Sequence, residues 1–293
     1  MRSAQLTTII TVANGPILAE LLPDVGARLH RLRVFGQDLL RTPAEPAEHL
    51  RDPFRWGAYV MAPWCNRIAS VPTWVDGQLV ALAANFDDGT AIHGQVHSAR
   101  WDLGSDGALS VRGGGDGWPW PYLCRLHVVA TDAILTVELS LTNLAPTPMP
   151  AGIGLHPWFR RPLQARINAE HGVAPNTDPD AAIESVTGSR DLRSMRPVPD
   201  DLDAAWLNPG DPAVELHWPE LGIRATMRAR SDAGLCIVAA SPRALDAVAI
   251  EPQTHLPHGL LRFLDGRPAG LLALAPQATM RLRTELAFSR SEG

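Results

Sequence analysis

The 293-residue chain contains no lysine, so all 26 of its basic residues are arginine. Without lysine it cannot form a Schiff base with a carbonyl substrate or with pyridoxal phosphate. It also cannot supply the lysine of a phosphate-binding loop or of a protein kinase. Several large enzyme classes are therefore excluded by composition alone.

Charge, cysteine and long apolar runs are also scarce. The net charge of −5 and the pI near 6.0 lack the basic excess typical of nucleic-acid-binding proteins. No apolar run reaches the roughly 18 to 20 residues of a membrane-spanning helix, and residues 1–10 make a poor signal peptide. Cys65, Cys124 and Cys236 are too widely spaced for a zinc ribbon or a disulfide framework. We therefore expect a cytoplasmic protein, a monomer or weak homodimer, with no nucleic-acid or membrane partner.

Alternation of apolar and polar residues predicts β-strands in many windows. In residues 134–144, Leu135, Val137, Leu139 and Leu141 share one face and polar residues the other. The other predicted strands share weaker or shorter versions of this pattern: residues 6–12, 27–34, 125–130, 221–228, 235–240, 247–250 and 280–288.

Long amphipathic helices are missing, and we expect only short helical turns at residues 46–51 and 242–246. With 24 glycines and 26 prolines, the chain favours many turns over a few long elements. The predicted fold class is therefore all-β, a large antiparallel β-sandwich with few short helices. We expect one domain over residues 1–293, with residues 177–203 as an insertion in it.

Four polar clusters lie at predicted strand ends or loops: residues 63–68, 90–97, 152–159 and 250–254. In the second cluster, His93, Gln95 and His97 alternate, so a strand would put them on one face, a spacing compatible with metal ligation. A third strong ligand is not nearby in sequence, so we predict no metal site.

The third and fourth clusters carry one titratable residue each. His156 follows Gly-Ile-Gly and precedes proline, which indicates a sharp turn at a strand end. Glu251 follows an apolar run, and a carboxylate at the end of a buried strand needs a partner or a function.

Nine of the aromatic residues are tryptophan, and four of them lie in or near predicted loops: Trp64, Trp118, Trp120 and Trp158. A flat indole with a polar N–H suits the C–H-rich face and the hydroxyls of a sugar ring. Packing in the core or at a sheet edge accounts equally well for each of them.

The order of the polar clusters resembles that of the aldose 1-epimerase, or galactose mutarotase, family. The first half carries Asn66-Arg67-Ile68 and Ile92-His93-Gly94. The second half carries Gly154-x-His156-Pro157-Trp158-Phe159, Leu202-Asp203-Ala204-Ala205-Trp206 and Glu251-Pro252-Gln253-Thr254. The similarity covers nearly the whole chain.

The resemblance implies a galactose mutarotase-like supersandwich that interconverts the α and β anomers of a free aldose without a cofactor. It gives Glu251 the place of the general base and His156 that of the general acid. The implied substrate-binding residues are His93, Arg67, Asn66 and Asp203, with Asp200 and Asp201 as alternatives to Asp203. We add Trp158 to the predicted substrate-binding residues for its indole face. At neutral pH a glutamate is ordinarily ionised, and a histidine holds a proton at modest cost.

Departures from the family pattern leave the sugar open. Trp158-Phe159-Arg160 stands where galactose-specific members usually have Tyr-Phe-Asn, and Gln95 follows Gly94 where a second glycine is usual. Three other functions remain: a glycoside hydrolase with Asp203 and Glu251 as its carboxylates, a non-catalytic sugar-binding protein, and a sugar-phosphate mutarotase. The last would require cleft arginines, for which Arg160 and Arg161 are candidates.

Overall fold

The computed structural model describes residues 8–291, which fold almost entirely into β-strands. In this range there are two short α-helices, α1 (Glu48–Arg51) and α2 (Gly259–Leu264). The strands in chain order are β1 (Ile10–Asn14), β2 (Ile17–Leu22), β3 (Arg28–Val34), β4 (Gln37–Asp38), β5 (Ala58–Met61), β6 (Arg67–Ala69), β7 (Thr73–Val75), β8 (Gln78–Val80), β9 (Thr90–Ile92), β10 (Asp102–Leu103), β11 (Leu109–Gly115), β12 (Trp118–Thr131), β13 (Ile134–Asn143), β14 (Met149–Ala151), β15 (Gly154–Arg160), β16 (Gln164–Ile167), β17 (His171–Val173), β18 (Glu184–Ser185), β19 (Arg196–Pro197), β20 (Asp203–Leu207), β21 (Val214–Trp218), β22 (Ile223–Ser231), β23 (Cys236–Ala240), β24 (Ala247–Gln253), β25 (Leu272–Leu274) and β26 (Thr279–Arg290).

Two large antiparallel sheets contain most of these strands. The first has eleven strands in the order β1-β2-β3-β5-β15-β24-β23-β20-β17-β18, with β4 paired to β3. The second has nine, in the order β10-β11-β12-β13-β26-β22-β21-β16-β19. Apolar side chains of both sheets, among them Leu29 and Leu155 from the first and Leu126 and Val137 from the second, belong to one buried core. The fold class predicted from the sequence, an antiparallel β-sandwich, is confirmed.

Strong alternation in the sequence predicted the long strands well. In β13 the apolar face is at most 4% exposed, and Leu139 pairs with Leu282 of β26. The predicted strand at residues 6–12 lies partly outside the described residues, and β1 begins at Ile10. Residues 242–246 contain a turn and no helix, whereas α2 was not predicted.

The segment 177–203 leaves the first sheet and returns to it. It connects β17 to β20, which pair directly, and contains only the short β18 and β19 and one 3-10 turn. No α-helix in the described range is long and apolar enough to cross a membrane.

Four neighbouring central strands of the first sheet place one residue each in a transverse row. Leu29 pairs with Ala58 and Tyr59 with His156, while the Gly154–Gln253 and Trp158–Ala249 pairs bracket His156 and Glu251. In an antiparallel pair, moving one residue forward on one strand moves one residue back on its partner. Arg28 therefore lies opposite Tyr59, and His156 lies opposite Glu251. The four residues Arg28, Tyr59, His156 and Glu251 thus form a row on one face of β3, β5, β15 and β24. We call these four residues the cross-strand row.

Candidate active site

A cleft of about 500 Å³ lies over three members of the cross-strand row, Tyr59, His156 and Glu251. Its polar lining consists of Arg55, Asn66, Arg67, His93, His156, Asn176, Asp201, Asp203 and Glu251. Its apolar lining includes Phe54, Tyr59, Phe86, Trp158 and Leu245. Tyr59, Met61 and Trp158 form an apolar cluster separate from the main core, because alternate residues of these strands point away from the second sheet.

His156 and Glu251 contact each other directly in this cleft. The distance from His156 Nε2 to Glu251 Oε1 is 3.2 Å, and the two side chains are 5% and 2% exposed. Both residues lie inside strands and not at strand ends, so the sequence-based interpretation of a sharp turn at His156 was wrong. The register of β15 against β24 brings the predicted acid and base together.

Burial changes the protonation expected for this pair. It raises the pKa of Glu251 well above its ordinary value, an effect that Asp203 increases and Arg67 opposes. It lowers the pKa of His156 to about 3, and the nearby Arg28 contributes to the decrease. The sequence-based expectation of a simply ionised glutamate therefore changes: burial favours the neutral pair, in which the proton that the two groups can share lies on Glu251.

His93 reaches the cleft from a loop, because β9 ends one residue earlier, at Ile92. Its backbone is left-handed, with φ 61°, and its N–H donates to the Asn66 carbonyl at 3.0 Å. The Asn66 N–H donates to His93 Nδ1 at 3.2 Å. Burial keeps the pKa of His93 well below its ordinary value, so the neutral ring must carry its proton on Nε2. The ring centroid lies 5.0 Å from that of His156.

Gln95 and His97 do not share a strand face with His93, so the expectation from their spacing was wrong. The Gln95 side chain accepts from the Tyr122 hydroxyl and donates to the Gly115 carbonyl. His97 packs behind the cleft against Phe54, with ring centroids 4.8 Å apart. Within residues 8–291, no three His, Cys, Asp or Glu side chains are grouped to hold a metal ion.

Arg67 is held at the cleft wall by its Nε atom. This atom lies 2.6 Å from Asp88 Oδ2, and the guanidinium lies 5.5 Å from the centre of the Phe86 ring. The Asn66 side-chain oxygen accepts the Arg67 backbone N–H at 2.9 Å. These contacts fix the start of β6 and leave the Arg67 terminal nitrogens for a ligand.

Asp203 is the deepest of the three acidic candidates near β20. Its Oδ2 accepts the Asn176 N–H at 3.0 Å, and burial raises its pKa while Arg67 opposes the rise. Asp201 lies at the exposed rim, where it accepts the Arg243 N–H. Asp200 does not line the cleft and pairs with Arg161 at 3.1 Å.

The structure thus places all seven of the predicted site residues around one cleft: Glu251, His156, His93, Arg67, Asn66, Asp203 and Trp158. Residues 8–257 match the model of the family described as aldose 1-epimerase. The chain belongs to the aldose 1-epimerase family. The family and the fold support a mutarotase-like activity on carbohydrates.

Relatives of this chain cover nearly its whole length. The uncharacterised Escherichia coli protein YphB is 26% identical over 95% of this chain and 99% of its own. Among solved structures, the GalM/aldose epimerase homologue from C. elegans has a TM-score of 0.83 at 21% identity, covering 98% of this chain and 100% of that chain. A galactose mutarotase-like protein from Clostridium acetobutylicum has a TM-score of 0.82 at 17% identity, covering 97% of this chain and 96% of that chain. Both structures share the fold.

Only one of the four tryptophans considered for sugar contact lines the cleft. Trp158 donates its indole N–H to the Phe54 carbonyl at 2.6 Å, and its ring lies 4.9 Å from His156. Trp64, Trp118 and Trp120 are at most 2% exposed and pack on one another in the core, with successive centroids 5.1 and 5.3 Å apart. For these three, core packing is the correct interpretation.

Sequence reasoning missed several cleft residues, above all Tyr59. Its ring stacks on the His156 imidazole, with centroids 4.4 Å apart and planes 22° apart. Tyr59 is one of only two tyrosines in the chain. It lies in an apolar run, and such a run indicates a buried strand. The pairing of that strand with β15 is a long-range contact that no local pattern specifies.

The arginines proposed for phosphate binding lie outside the cleft. Arg160 is exposed, and Arg161 donates to the Val198 carbonyl and pairs with Asp200. The cleft itself is lined by two arginines and three carboxylates: Arg55, Arg67, Asp201, Asp203 and Glu251.

Proposed function

We propose that this protein interconverts the α and β anomers of a free, uncharged aldose, with Glu251 as general base and His156 as general acid. The observation that carries this proposal is the 3.2 Å contact between the two groups on the floor of a cleft of about 500 Å³. A cleft of this size lies within the usual range for small-molecule sites.

In the reaction the sugar loses one proton from its anomeric hydroxyl and gains one proton on its ring oxygen. The base removes the proton of the anomeric hydroxyl while the acid protonates the ring oxygen, the bond between C1 and that oxygen breaks, and a carbonyl forms at C1. Rotation about C1–C2 followed by the reverse steps closes the ring on the other carbonyl face. A positioned acid and a positioned base each contribute typically about 10² to 10⁴ to the rate.

The shared proton suits this chemistry. When it lies on Glu251 the pair is neutral, which burial favours; when it moves to His156 it creates the base and the acid together. Glu251 Oε2 has no hydrogen-bond partner among the described residues, and a sugar hydroxyl would satisfy it. Ring closure reverses both transfers, so the pair ends each turnover as it began.

The remaining residues orient the sugar. Arg67 and the Nε2–H of His93 would donate hydrogen bonds to hydroxyl or ring oxygens, and Asp203 and Asn66 would bind other hydroxyls. Trp158 would cover a C–H-rich sugar face. With Glu251 protonated, two arginines face two aspartates in the lining, and this lack of a cationic excess favours an uncharged sugar over a sugar phosphate.

Polarimetry on freshly dissolved single anomers tests the proposal. We expect faster equilibration of at least one free aldose than in buffer, a smaller effect on hexose 6-phosphates, and no release of sugar from aryl glycosides. His156→Asn and Glu251→Gln should each lose at least about 10²-fold in rate. No acceleration with any aldose, or variants as active as the original protein, would refute the proposal, and glycoside cleavage would favour a hydrolase.

A further inference from the structure

Arg28, the first residue of the cross-strand row, is a fully buried cation without a carboxylate partner among the described residues. Its guanidinium donates to the carbonyls of Pro53, Trp56 and His97 at 2.6 to 3.2 Å, and it contacts His49 Nδ1 at 3.2 Å. A buried charge is costly unless it is compensated, and here neutral groups alone surround it directly.

The row connects this cation to the candidate acid through one aromatic ring. The Arg28 guanidinium lies 5.1 Å from the centre of the Tyr59 ring, and that ring stacks on His156 at 4.4 Å. A guanidinium within about 6 Å of an aromatic ring is attracted to its face. The Tyr59 ring on β5 is therefore held between Arg28 of the neighbouring strand β3 and His156 of the neighbouring strand β15.

We propose that Arg28 is a positioning residue for the acid–base pair: it holds Tyr59 against the His156 imidazole, and its charge biases the proton shared by His156 and Glu251 toward Glu251. This proposal rests on the function proposed above, because only that function gives the proton shared by His156 and Glu251 a role in catalysis. The bias makes His156, once protonated, a stronger acid toward the ring oxygen.

The histidines beside Arg28 add no second charge. Arginine can only donate, so His49 Nδ1 must accept, and His49 Nε2–H then donates to His30 Nδ1 at 2.9 Å. Burial, aided by Arg28, lowers the pKa of His49 to about 2, and burial also lowers that of His30. The titratable or charged groups around the row and the pair are His30, His49, Asp52, Arg67, His93, His97 and Asp203.

Two substitutions separate the charge of Arg28 from its packing. Arg28→Met removes the charge, whereas Arg28→Lys keeps a cation that is fully charged in acid. The measurement is an NMR pH titration of the His156 ring signals, assigned by their loss in His156→Asn. In the original protein and in Arg28→Lys the ring should stay neutral down to about pH 4, and in Arg28→Met it should gain its proton at a pH about one unit higher.

The same variants should show the effect in catalysis. The acid limb of the kcat–pH profile should move upward in Arg28→Met and be restored in Arg28→Lys. If Arg28→Met does not fold, Arg28→Gln, which retains donors without charge, replaces it. An unchanged His156 titration in the uncharged variant would overturn the proposal, even if stability or overall activity falls. Because the titration needs no turnover, it remains decisive for a protein that fails the mutarotation test.

Discussion

At the scale of single residues, the paired His156 and Glu251 impose opposing demands on folding and on the proposed catalysis. A carboxylate that is 2% exposed loses its hydration on folding, and burial raises its pKa accordingly. A group whose pKa is raised in the folded state contributes most stability at low pH and loses it as pH rises above the unfolded value. The cost of retaining Glu251 therefore grows toward neutral pH.

Glu251→Gln should consequently raise thermal stability while it removes activity. The amide keeps the size of the side chain and can donate to His156 Nε2 as the protonated carboxyl does, but it has no charge to bury. We expect a higher Tm than the original protein, with the gap wider at pH 8 than at pH 5, and a rate at least about 10² lower. Calorimetry at both pH values checks the stability, and a gap that is equal or reversed would contradict this explanation of the pKa.

His93 offers a test of backbone conformation and hydrogen bonding at one position. At φ 61°, asparagine is tolerated well, whereas a β-branched residue is strained by about 1–3 kcal/mol. We expect His93→Asn to remain within about 1 kcal/mol of the original stability, and His93→Val to lose more. Both should reduce kcat/KM about 10-fold or more, since the Nε2–H donor is absent. Urea unfolding and initial rates measure the two effects, and equal stability losses would count against the conformational argument.

At the scale of elements, the segment from the end of β5 to the residues just after β9 forms one wall of the cleft. Asn66 and His93 exchange backbone and side-chain hydrogen bonds, and the next residue, Gly94, pairs with Ala62 in an isolated bridge. A Cβ on Gly94 would lie 1.9 Å from the Ala62 carbonyl oxygen. Glycine is required here by this close approach as well as by its φ of 75°.

Gly94→Ala should therefore disrupt both stability and the proposed binding. Gly77 is a matched control, because its φ of 78° is similar and no atom lies within 4 Å of a Cβ built on it. We expect Gly77→Ala to cost about 1–2 kcal/mol from backbone conformation alone and to keep its activity. Gly94→Ala should cost about 4 kcal/mol or more and lower kcat/KM, as measured by urea unfolding and polarimetry. Similar losses in the two variants would show that the contact with Ala62 does not matter.

Elements with strong periodicity were predictable from sequence, and those defined by long-range pairing were not. β13 and β26 alternate over ten or more residues, so local pattern alone indicates them. The turn at residues 242–246 and α2 are too short for a reliable period. The pairing of β5 with β15, which stacks Tyr59 on His156, depends on residues almost a hundred positions apart.

The candidate site was likewise predictable from the sequence only in part. The resemblance to the epimerase family indicated six of the residues that line the cleft, but it carried no information on their electrostatic surroundings. The protonation of His156 and Glu251 depends on burial by strands distant in sequence. The buried Arg28 likewise gains its significance from the register of β3, β5 and β15.

At the scale of the whole molecule, buried neutral histidines should make the fold sensitive to acid. Burial lowers the pKa of four of them to between about 2 and about 4: His49, His97, His156 and His255. Since their unfolded pKa is near 6.5, the unfolded chain binds more protons below that pH, and stability falls as pH decreases toward each folded value.

His49, His97 and His255 should each contribute a slope of roughly 1 kcal/mol per pH unit near pH 5, whereas the proton that His156 gains on unfolding is offset by the proton that Glu251 loses. Urea unfolding at pH 7, 6 and 5 measures the combined slope. We expect a marked loss of stability at pH 5, before most carboxylates gain protons. A stability that is constant from pH 7 to pH 5 would contradict the neutral, buried state of these rings.

The central claim, that Glu251 and His156 open and reclose a sugar ring, is tested most directly by NMR exchange between the anomers of an uncharged aldose at equilibrium in D₂O. The original protein should increase the exchange rate in proportion to its concentration, without incorporation of deuterium at carbon, because no C–H bond breaks. Glu251→Gln and His156→Asn should reduce that increase at least about 10²-fold. Exchange no faster than in buffer for every aldose, or full exchange by both variants, would contradict the account.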